Sequence, residues 1–362
     1  MSFVFDRFRR LFANQQVVIL TLLLAAGLII VVFFGDILGP VLAALVLAYL
    51  LEGVVRAVVR AGASRRYTVP LVFTLFMVAT IAAVFGLAPL LSRQLTQLVQ
   101  QVPVMFGHGQ NLLMELPARY PAVFTEQQVI EIISRIRGEV AGVGQAVLSQ
   151  SLASVVSVIT FMVYLILVPL LVFFFLKDKN QLLAWFRHYL PRERGLARRV
   201  WRDVDRQIGN YIRGKFWEIL VVWFASYMAF TLLDLQFAML LSLAVGLSVI
   251  IPYIGATVVT LPIFVVGLYQ FGWSSDLAVL MIVYGVIQAL DGNVLVPLLF
   301  SEVVDLHPIA IIVAILFFGG IWGFWGVFFA IPLATVVQAV LKAWPDEEAA
   351  GEFPPKKPEN VS

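Results

Sequence analysis

One carboxylate lies within a long apolar run. Asp291 occurs in the segment QALDGNVLVP, and mostly apolar residues precede it from Leu277 to Leu290. An ionisable group at the centre of a membrane span costs about 2.5–3.5 kcal/mol on insertion scales, so it usually faces a cavity or a partner. Asp291 could therefore bind a proton or cation, or pair with a charged solute. It could equally have a structural role, accepting hydrogen bonds from the free N–H groups of a broken helix.

Polar residues flank this carboxylate in the sequence. Gln288 and Asn293 lie three residues before and two residues after Asp291. Gly292 has no side chain and would let another backbone approach closely. The sequence therefore predicts a small polar cluster around Asp291.

The other charged residues near apolar runs have simpler interpretations. Glu218 follows Trp217 at a span boundary, where we expect it to snorkel or to pair with Arg213 or Lys215, and we do not treat it as a site. Another five polar residues lie at span ends, where interfacial water can solvate them as loop residues: Asp234, Gln236, Glu302, Asp305 and His307.

Several chemistries have no support in the sequence. The chain has no cysteine, and its three histidines are far apart, which excludes a Cys/His zinc site. No phosphate-binding GxxxxGK[ST] loop and no nucleophile–base pair is recognisable. We therefore expect neither an enzyme nor a cofactor. The basic residues cluster beside apolar runs, which the positive-inside rule explains better than nucleic-acid binding.

The amino-acid composition indicates that these residues lie in a lipid bilayer. Of 362 residues, 61% are apolar and 13% charged, and the mean hydropathy is +0.95. The runs Val17–Phe34, Val69–Leu91 and Ser154–Leu176 approach or exceed the roughly 20 residues that a helix needs to cross a bilayer. Strand signals are absent. The sequence predicts an all-α integral membrane protein whose first partner is the lipid bilayer.

Charge and proline content divide the chain into six segments. The N-terminal spans (1–91) include a predicted link at 35–40 that separates a first span from a second span, Val41–Leu51. An external amphipathic segment (92–151) precedes another span (152–176). A basic segment (177–215) holds eleven Lys and Arg residues, and is predicted to be cytoplasmic and to lie on the anionic leaflet. A C-terminal transmembrane region (216–344) and an acidic, proline-rich, disordered tail (345–362) complete the chain, with both termini in the cytoplasm.

Two apolar stretches of the C-terminal region are interrupted. Phe237–Ile251 ends at Pro252 and restarts at Ala256, and Pro308–Gly320 is followed by Gly323 and by Phe324–Leu341. Proline removes a helical N–H and glycine loosens the backbone, so each pair is predicted to be a re-entrant or discontinuous hairpin. The spacing of Gly255 to Pro262 and of Gly326 to Pro332 differs by one residue, a weak internal symmetry.

Four C-terminal segments resemble those of a known family, the autoinducer-2 exporter family of bacterial and archaeal membrane transporters. They are IGNYIRGKFWEIL, SVIIPYIGATVVTLPI, DGNVLVPLLFSEVVDLHP and GGIWGFWGVFFAIPLATVVQAVL. The N-terminal half is similar in layout only. The resemblance implies about eight membrane segments in the bacterial or archaeal inner membrane, a homo-oligomer for which a pentamer is one form, and export of a small polar or charged solute.

Some relatives in that family are described as sodium/proton antiporters, so the resemblance also implies Na⁺ or H⁺ as a partner. The residues that it implies, by motif position, are Pro252, Tyr253, Gly255, Pro262, Asp291, Asn293, Pro297, His307, Pro308, Gly323, Gly326 and Pro332. Most are glycines and prolines that would break helices. A hypothesis of a different class is a membrane scaffold or accessory subunit that transports nothing. A channel is less favoured because the early spans lack polar residues.

Overall fold

The computed structural model describes residues 15–115, 154–189, 195–252, 254–300 and 306–342, with short stretches between 117 and 138. The tail at 345–362 and residues 139–151 of the external segment lie outside these ranges. The described residues form helices α1 (Gln15–Arg60), α2 (Arg65–Ala82), α3 (Ala88–Met114), α4 (Ser154–Lys177), α5 (Lys179–Tyr189), α6 (Gly195–Leu232), α7 (Ala238–Ser248), α8 (Ile254–Phe271), α9 (Ser275–Leu290), α10 (Val296–Phe300) and α11 (Pro308–Lys342). Two π-helical turns, π1 (Ala83–Leu87) and π2 (Asp291–Leu295), join α2 to α3 and α9 to α10.

Seven helical stretches of the described chain are long and apolar enough to cross a membrane: Ile37–Arg60, Arg65–Asn111, Thr160–Lys177, Asp205–Leu232, Ile254–Phe271, Ser275–Phe300 and Pro308–Gln338. The apolar helix α7 has 11 residues, about 16 Å at 1.5 Å per residue, and is too short to cross. No strand occurs in the described ranges. The predicted all-α membrane fold is confirmed.

Helix α1 corrects one prediction about the N-terminal spans. It continues from Gln15 to Arg60, with Pro40 inside it, so the link predicted at 35–40 is not a break. A single proline removes one N–H, a loss that membrane helices tolerate. The sequence signal for a turn was therefore too weak to end the helix.

Two further predicted boundaries fall inside continuous helices. The boundary at residue 91 lies in α3, which π1 joins to α2, and the boundary at residue 215 lies in α6. Lys215 is only 4% exposed, so it is not an interfacial residue of a surface helix. Charge content changes at these positions, but the backbone hydrogen bonding does not.

The chain forms two units, residues 1–36, 187–209 and 303–362 in one, and residues 37–186 and 210–302 in the other. The second unit contains two apolar cores. Residues of α1, α2 and α4 form the first core, including Ala44, Val55, Val69 and Val172. Residues of α3, α6, α7, α8 and α9 form the other, including Met105, Val222, Val245, Ile263 and Leu280.

Helices α7 and α8 form the first predicted hairpin. Gly255, at the start of α8, lies so close to α7 that a Cβ atom there would overlap the carbonyl group of Ser248. The turn between them is closed by hydrogen bonds from Ile251 N to Ser248 O (3.0 Å) and from Gly255 N to Ile251 O (2.9 Å). Only glycine permits this approach of the two backbones.

The second hairpin lies within α11. Gly323 adopts φ 57° and ψ −134°, a conformation outside the helical range that favours glycine. A Cβ atom at Gly326 would overlap the carbonyl group of Phe318. Residues eight apart in a straight helix are separated by about 12 Å, so the chain folds back at Gly323. The second break is therefore a reversal of the chain at a positive-φ glycine.

Candidate ion-binding cluster within the membrane spans

Helix α6 carries an ion pair inside its membrane-spanning stretch. Lys215 and Glu218 are 4% and 2% exposed, and Lys215 Nζ lies 2.8 Å from Glu218 Oε2. A spacing of three residues places both side chains on one face of the helix. The pair is thus sequestered from water.

The ammonium group of Lys215 has two more contacts. It donates a hydrogen bond to the carbonyl oxygen of Val249 at 2.7 Å, and it lies over the ring of Phe300 at 5.4 Å from the centroid. Val249 follows the last residue of α7, at the tip of the first hairpin. Lys215 therefore connects α6 to the hairpin tip and to the end of α10.

Asp291 is the first residue of the π2 turn. Its carboxylate is within electrostatic range of both Lys215 and Glu218. Its Oδ1 atom is buried and has no hydrogen-bond partner among the described residues. A π-helical turn inserts one residue into a helix and is frequent at functional sites. The span predicted to be ordinary is therefore interrupted at its one carboxylate.

The charges in this cluster do not balance. Glu218 and Asp291 carry two negative charges when ionised, and Lys215 supplies one positive charge. A net charge inside a span is unfavourable unless a partner neutralises it. The cluster formed by Lys215, Glu218 and Asp291, here called the inner-span cluster, therefore has the chemistry to take up a proton or one monovalent cation.

Polar groups extend from this cluster along α9. The Gln288 amide donates to the Tyr284 hydroxyl at 3.0 Å, and that hydroxyl donates to the carbonyl oxygen of Ala256 at 2.9 Å. The hydroxyl of Thr260 lies 3.2 Å from that of Tyr284. A hydrogen-bonded network thus joins α9 to the first turn of α8 at membrane depth.

The predicted polar cluster is only partly correct. Gln288 engages Tyr284, and Asn293 is exposed and donates to the carbonyl oxygen of Ala289 at 2.8 Å. Among the described residues, no atom lies within 4 Å of the position of a Cβ at Gly292, so the predicted close backbone approach is not found there. The π2 turn explains the difference, because its extra residue rotates Gly292 and Asn293 away from the polar face.

The remaining predicted residues fall in both units. Pro252, Gly255, Pro262 and Pro297 lie in the same unit as Asp291, and Tyr253 lies outside the described residues. His307, Pro308, Gly323, Gly326 and Pro332 lie in the other unit. His307 is exposed, and its Nδ1 accepts a hydrogen bond from Ile309 N at 3.3 Å as α11 begins.

Of the predicted loop residues, two lie between α6 and α7 and two lie outside the described residues. Asp234 and Gln236 lie between α6 and α7, as predicted, and Gln270 fastens that loop. Its amide donates to Asp234 O at 2.6 Å and accepts from Gln236 N at 2.7 Å. Glu302 and Asp305 lie outside the described residues.

Sequence reasoning missed Lys215 and Glu218 as site residues. Pairing of Glu218 with Lys215 was one expectation, along with snorkelling and pairing with Arg213, but the burial of the pair was not expected. A signal was present, because a Lys and a Glu three residues apart are followed without a break by the apolar residues of α6. Two charges at helical spacing that begin an apolar span point to a buried pair.

A second carboxylate cluster lies in the other core of the same unit. Glu52 of α1 contacts three cations, with distances of 2.9 Å to Arg65, 3.0 Å to Lys179 and 3.2 Å to Arg56. Arg65 also donates to the carbonyl oxygen of Leu176 at 2.9 Å, near the end of α4. This group, here called the Glu52 cluster, ties α1, α2, α4 and α5 together.

Seven helical stretches long and apolar enough to span a membrane, one of which folds back at Gly323, together with the α7–α8 hairpin and an unbalanced ionisable cluster, define a multi-pass membrane transport protein. The sequence model described as AI-2E family transporter matches residues 19–346. The chain belongs to this family of membrane transporters.

Proteins named as permeases or transport proteins are similar to the chain over most of its length. It is 46% identical over 345 residues to PerM of Escherichia coli (strain K12), which is named as a permease, and the match covers 95% of this chain and 98% of that protein. Two proteins of Bacillus subtilis (strain 168), YueF and YrrI, are named as transport proteins. They are 27% and 25% identical over 318 and 305 residues, which are 85% and 83% of this chain and 84% and 85% of the relatives in the matches.

Proposed function

We propose that the protein is an ion-coupled secondary transporter that exports a small polar or charged solute, of the autoinducer-2 type, and that Asp291 binds the coupling cation or proton. The observation that carries this proposal is the buried Asp291 Oδ1, which has no hydrogen-bond partner among the described residues and lies within electrostatic range of Glu218 and Lys215. A carboxylate left in this state within a span needs a positive partner.

The composition of the inner-span cluster favours a proton or a monovalent cation as its ligand. Among the described residues, no group of three or more His, Cys, Asp or Glu side chains could hold a metal ion. Two carboxylates and one ammonium leave a single negative charge. A proton or a monovalent cation such as Na⁺, which prefers oxygen ligands, neutralises it.

Buried polar groups of α6 favour a polar solute as the cargo. Trp223 Nε1 and Ser226 Oγ are buried and have no hydrogen-bond partner among the described residues. They lie one to two turns from Glu218 along the same helix, in a unit that also contains the Tyr284 network. Hydroxyl or amine groups of a solute would satisfy such donors and acceptors at membrane depth.

A second candidate is Na⁺/H⁺ antiport, in which the cation is itself the cargo. The same single negative charge favours it, because one carboxylate site that accepts either Na⁺ or H⁺ can exchange them across the membrane. The two candidates share Asp291 and differ in whether an organic solute moves.

Ion movement by purified protein in proteoliposomes tests the role of Asp291. An imposed Na⁺ gradient and an internal pH-sensitive dye report Na⁺/H⁺ exchange. We expect Asp291→Asn to abolish the dye response. The matched control is Asp234→Asn in the α6–α7 loop, where Asn tolerates the positive φ of 49°. Full exchange by the Asp291→Asn protein would exclude Asp291 as the ion-binding group.

Metabolite profiles of the growth medium identify the solute. Cells with and without the gene are compared, and a solute that accumulates outside only with the intact chain is the cargo. If liposomes move no solute from a broad metabolite panel and the protein copurifies with one fixed partner, the scaffold hypothesis replaces transport. Export without any ion response would instead contradict the coupling alone.

We also propose a homo-oligomer in the inner membrane with both termini in the cytoplasm. Apolar side chains of α2, such as Leu71 and Leu75, are exposed within a span and can face lipid or a second copy. The mass of the detergent-solubilised complex measures the oligomeric state. Single cysteines at Ser92 and Arg198, introduced into a chain without native cysteine, report the side of the membrane by labelling.

A further inference from the structure

We infer that the Glu52 cluster binds the phosphate group of an anionic phospholipid, whose acyl chains lie along an exposed apolar face of α2. The inference goes beyond the proposed transport function and does not depend on an ion at Asp291. It assigns a ligand to the surplus of positive charge around Glu52.

The cations of the Glu52 cluster converge on one atom. Glu52 Oε1 accepts hydrogen bonds from Arg56 Nε, Arg65 Nη1 and Lys179 Nζ at 3.2, 3.1 and 3.0 Å. One carboxylate neutralises one of three positive charges, so a surplus of two remains. Like charges held this close repel one another, and an anion bound beside them relieves the repulsion.

The cluster also offers more hydrogen-bond donors than it has acceptors. A guanidinium group has five N–H donors and an ammonium group has three. Among the described residues, the acceptors that these donors meet are the two oxygens of Glu52 and the carbonyl oxygen of Leu176. A phosphate group supplies charged oxygens that match the guanidinium geometry, so it suits the remaining donors.

The cations reach the protein surface, whereas the carboxylate lies beneath them. The side chains of Arg56, Arg65 and Lys179 are 49%, 34% and 29% exposed, and that of Glu52 is 10% exposed. Arg65 begins α2 and Lys179 begins α5. Basic residues at the ends of membrane helices lie at the level of the lipid headgroups. The surplus charge is therefore accessible where phosphate groups occur.

The surroundings of the cluster favour an anion as well. Residues 52–66 and 177–179 hold six Lys and Arg residues and two carboxylates, and Arg60 and Arg66 are exposed. Ser64 precedes α2 and makes no side-chain hydrogen bond to its first turn. The N–H groups at the start of a helix are donors for a phosphate oxygen. They add to the binding capacity of the side chains.

An exposed apolar face of α2 begins beside the cluster. Tyr67, Leu71, Leu75 and Val78 follow Arg65 at helical spacing, and each is more than half exposed. From Tyr67 to Val78 the helix rises about 16 Å. This length is close to half of the ~30 Å hydrocarbon core, the depth of the acyl chains of one leaflet. Positive charge above an apolar face fits a phospholipid better than a free phosphate ion.

The double variant Arg56→Gln/Lys179→Gln removes the surplus charge and keeps the tie between the helices. Arg65 retains its two hydrogen bonds to Glu52, at 3.1 and 2.9 Å, so a balanced ion pair remains. The Arg56→Gln variant alone removes the most exposed of the three cations, and it tests the same site if the double variant does not fold.

The matched control is Arg93→Gln/Arg135→Gln, which changes the net charge by the same amount. Arg135 pairs with Glu131 four residues before it, at 2.8 Å, and this geometry resembles that of Arg56 and Glu52. Both control arginines lie outside the Glu52 cluster.

Native mass spectrometry of the full-length protein measures lipid binding. The protein is held in detergent micelles with phosphatidylcholine, and phosphatidylglycerol with the same acyl chains is titrated in. We expect the parent to retain phosphatidylglycerol in preference to phosphatidylcholine. Each basic residue near an anionic lipid contributes a factor of about five in affinity, so Arg56→Gln should weaken binding about fivefold and the double variant about 25-fold. The control should match the parent.

Unfolding temperatures distinguish a lipid from a free anion. Phosphatidylglycerol should raise the unfolding temperature of the parent, because a ligand of the folded state stabilises it, and inorganic phosphate at the same concentration should not. The lipid site is overturned if inorganic phosphate protects equally. It is also overturned if the cluster variants bind phosphatidylglycerol as the parent does, or if the control loses as much affinity as the double variant.

Discussion

The Glu52 cluster and the inner-span cluster both place carboxylates within membrane-spanning helices, but with opposite charge balance. Glu52 contacts three cations, whereas Glu218 contacts only Lys215 and Asp291 lies within electrostatic range of that same ammonium. The first carboxylate has more positive charge around it than it needs. The second pair has too little.

We propose that this difference separates a structural role for Glu52 from an ion-binding role for Asp291. The guanidinium group of Arg65 makes two hydrogen bonds to Glu52, at 3.1 and 2.9 Å, and also binds the α4 backbone. Such a bidentate pair fixes geometry. The Oδ1 atom of Asp291 has no such partner among the described residues, which is why we propose it as the ion-binding group. By this argument, an ionisable group within a span binds an ion when too few oppositely charged side chains surround it.

The largest expected effect comes from removal of the positive charge of the inner-span cluster. Lys215→Met leaves the buried carboxylate of Glu218 without a cation, next to the charge of the half-buried Asp291, which costs about 3–5 kcal/mol of unfolding free energy. Lys179→Met in the Glu52 cluster should cost less than about 1 kcal/mol, because Arg65 and Arg56 remain and the lost pair is partly exposed. Thermal unfolding of both proteins in detergent measures the contrast.

A recovery experiment completes this prediction. Lys215→Met/Glu218→Gln should regain most of the lost stability, because the pair is removed together. Equal unfolding temperatures for Lys215→Met and Lys179→Met would show that the two clusters do not differ in the proposed way.

The next effect concerns the backbone beside each cluster. Gly255→Ala adds a methyl group where the Ser248 carbonyl already lies, so the α7–α8 hairpin must open, at a cost of about 1–3 kcal/mol. Gly53 is next to Glu52, and a Cβ there would make an ordinary contact of 3.4 Å with Arg213 Cδ. Gly53→Ala should therefore be neutral or stabilise α1 by about 0.5–1 kcal/mol.

Urea or heat unfolding measures both substitutions, with cysteine labelling at Ile251 as a local probe for the first. Gly255→Ala should raise the labelling rate and Gly53→Ala should leave it unchanged. A stable Gly255→Ala protein with parental labelling would mean that the hairpin arms are not in close contact.

Much of this architecture follows from the sequence. Apolar length predicts the spans, and Pro252 and Gly323 predict the two hairpins, because a missing N–H and a positive φ act locally. Asp291 stands out for the same reason, as one charge among apolar neighbours. These features depend on properties of single residues and their near neighbours.

The partners of Asp291 could not be predicted in this way. Lys215 occurs in a segment rich in arginine, so its charge looked typical of a cytoplasmic surface, and only the tertiary packing of α6 buries it. The π2 turn could not be predicted either, since the segment DGNVL has no pattern that distinguishes a π-helical turn from an α-helix. For the same reason, continuity of α1 through Pro40 was missed. Tertiary contacts and helix register decide these features.

The smallest expected effect measures ion binding through stability. A ligand that binds the folded state at ten times its Kd adds about 1.4 kcal/mol. If the inner-span cluster takes up Na⁺, replacing N-methylglucamine chloride with NaCl at equal ionic strength should raise the unfolding temperature of the parent protein. Asp291→Asn should remove the rise, because the neutral amide no longer leaves a negative charge to be compensated.

Glu52→Gln sharpens the comparison, because it changes a carboxylate that already has three cations. This substitution should lower the unfolding temperature in both salts equally, so the rise with Na⁺ is retained. If Glu52→Gln removed the rise and Asp291→Asn kept it, the ion would bind at the Glu52 cluster instead. The Glu52 cluster already has three cations around one carboxylate, so we expect it to exclude a further cation. Binding of Na⁺ at the Glu52 cluster would therefore contradict the argument from charge balance.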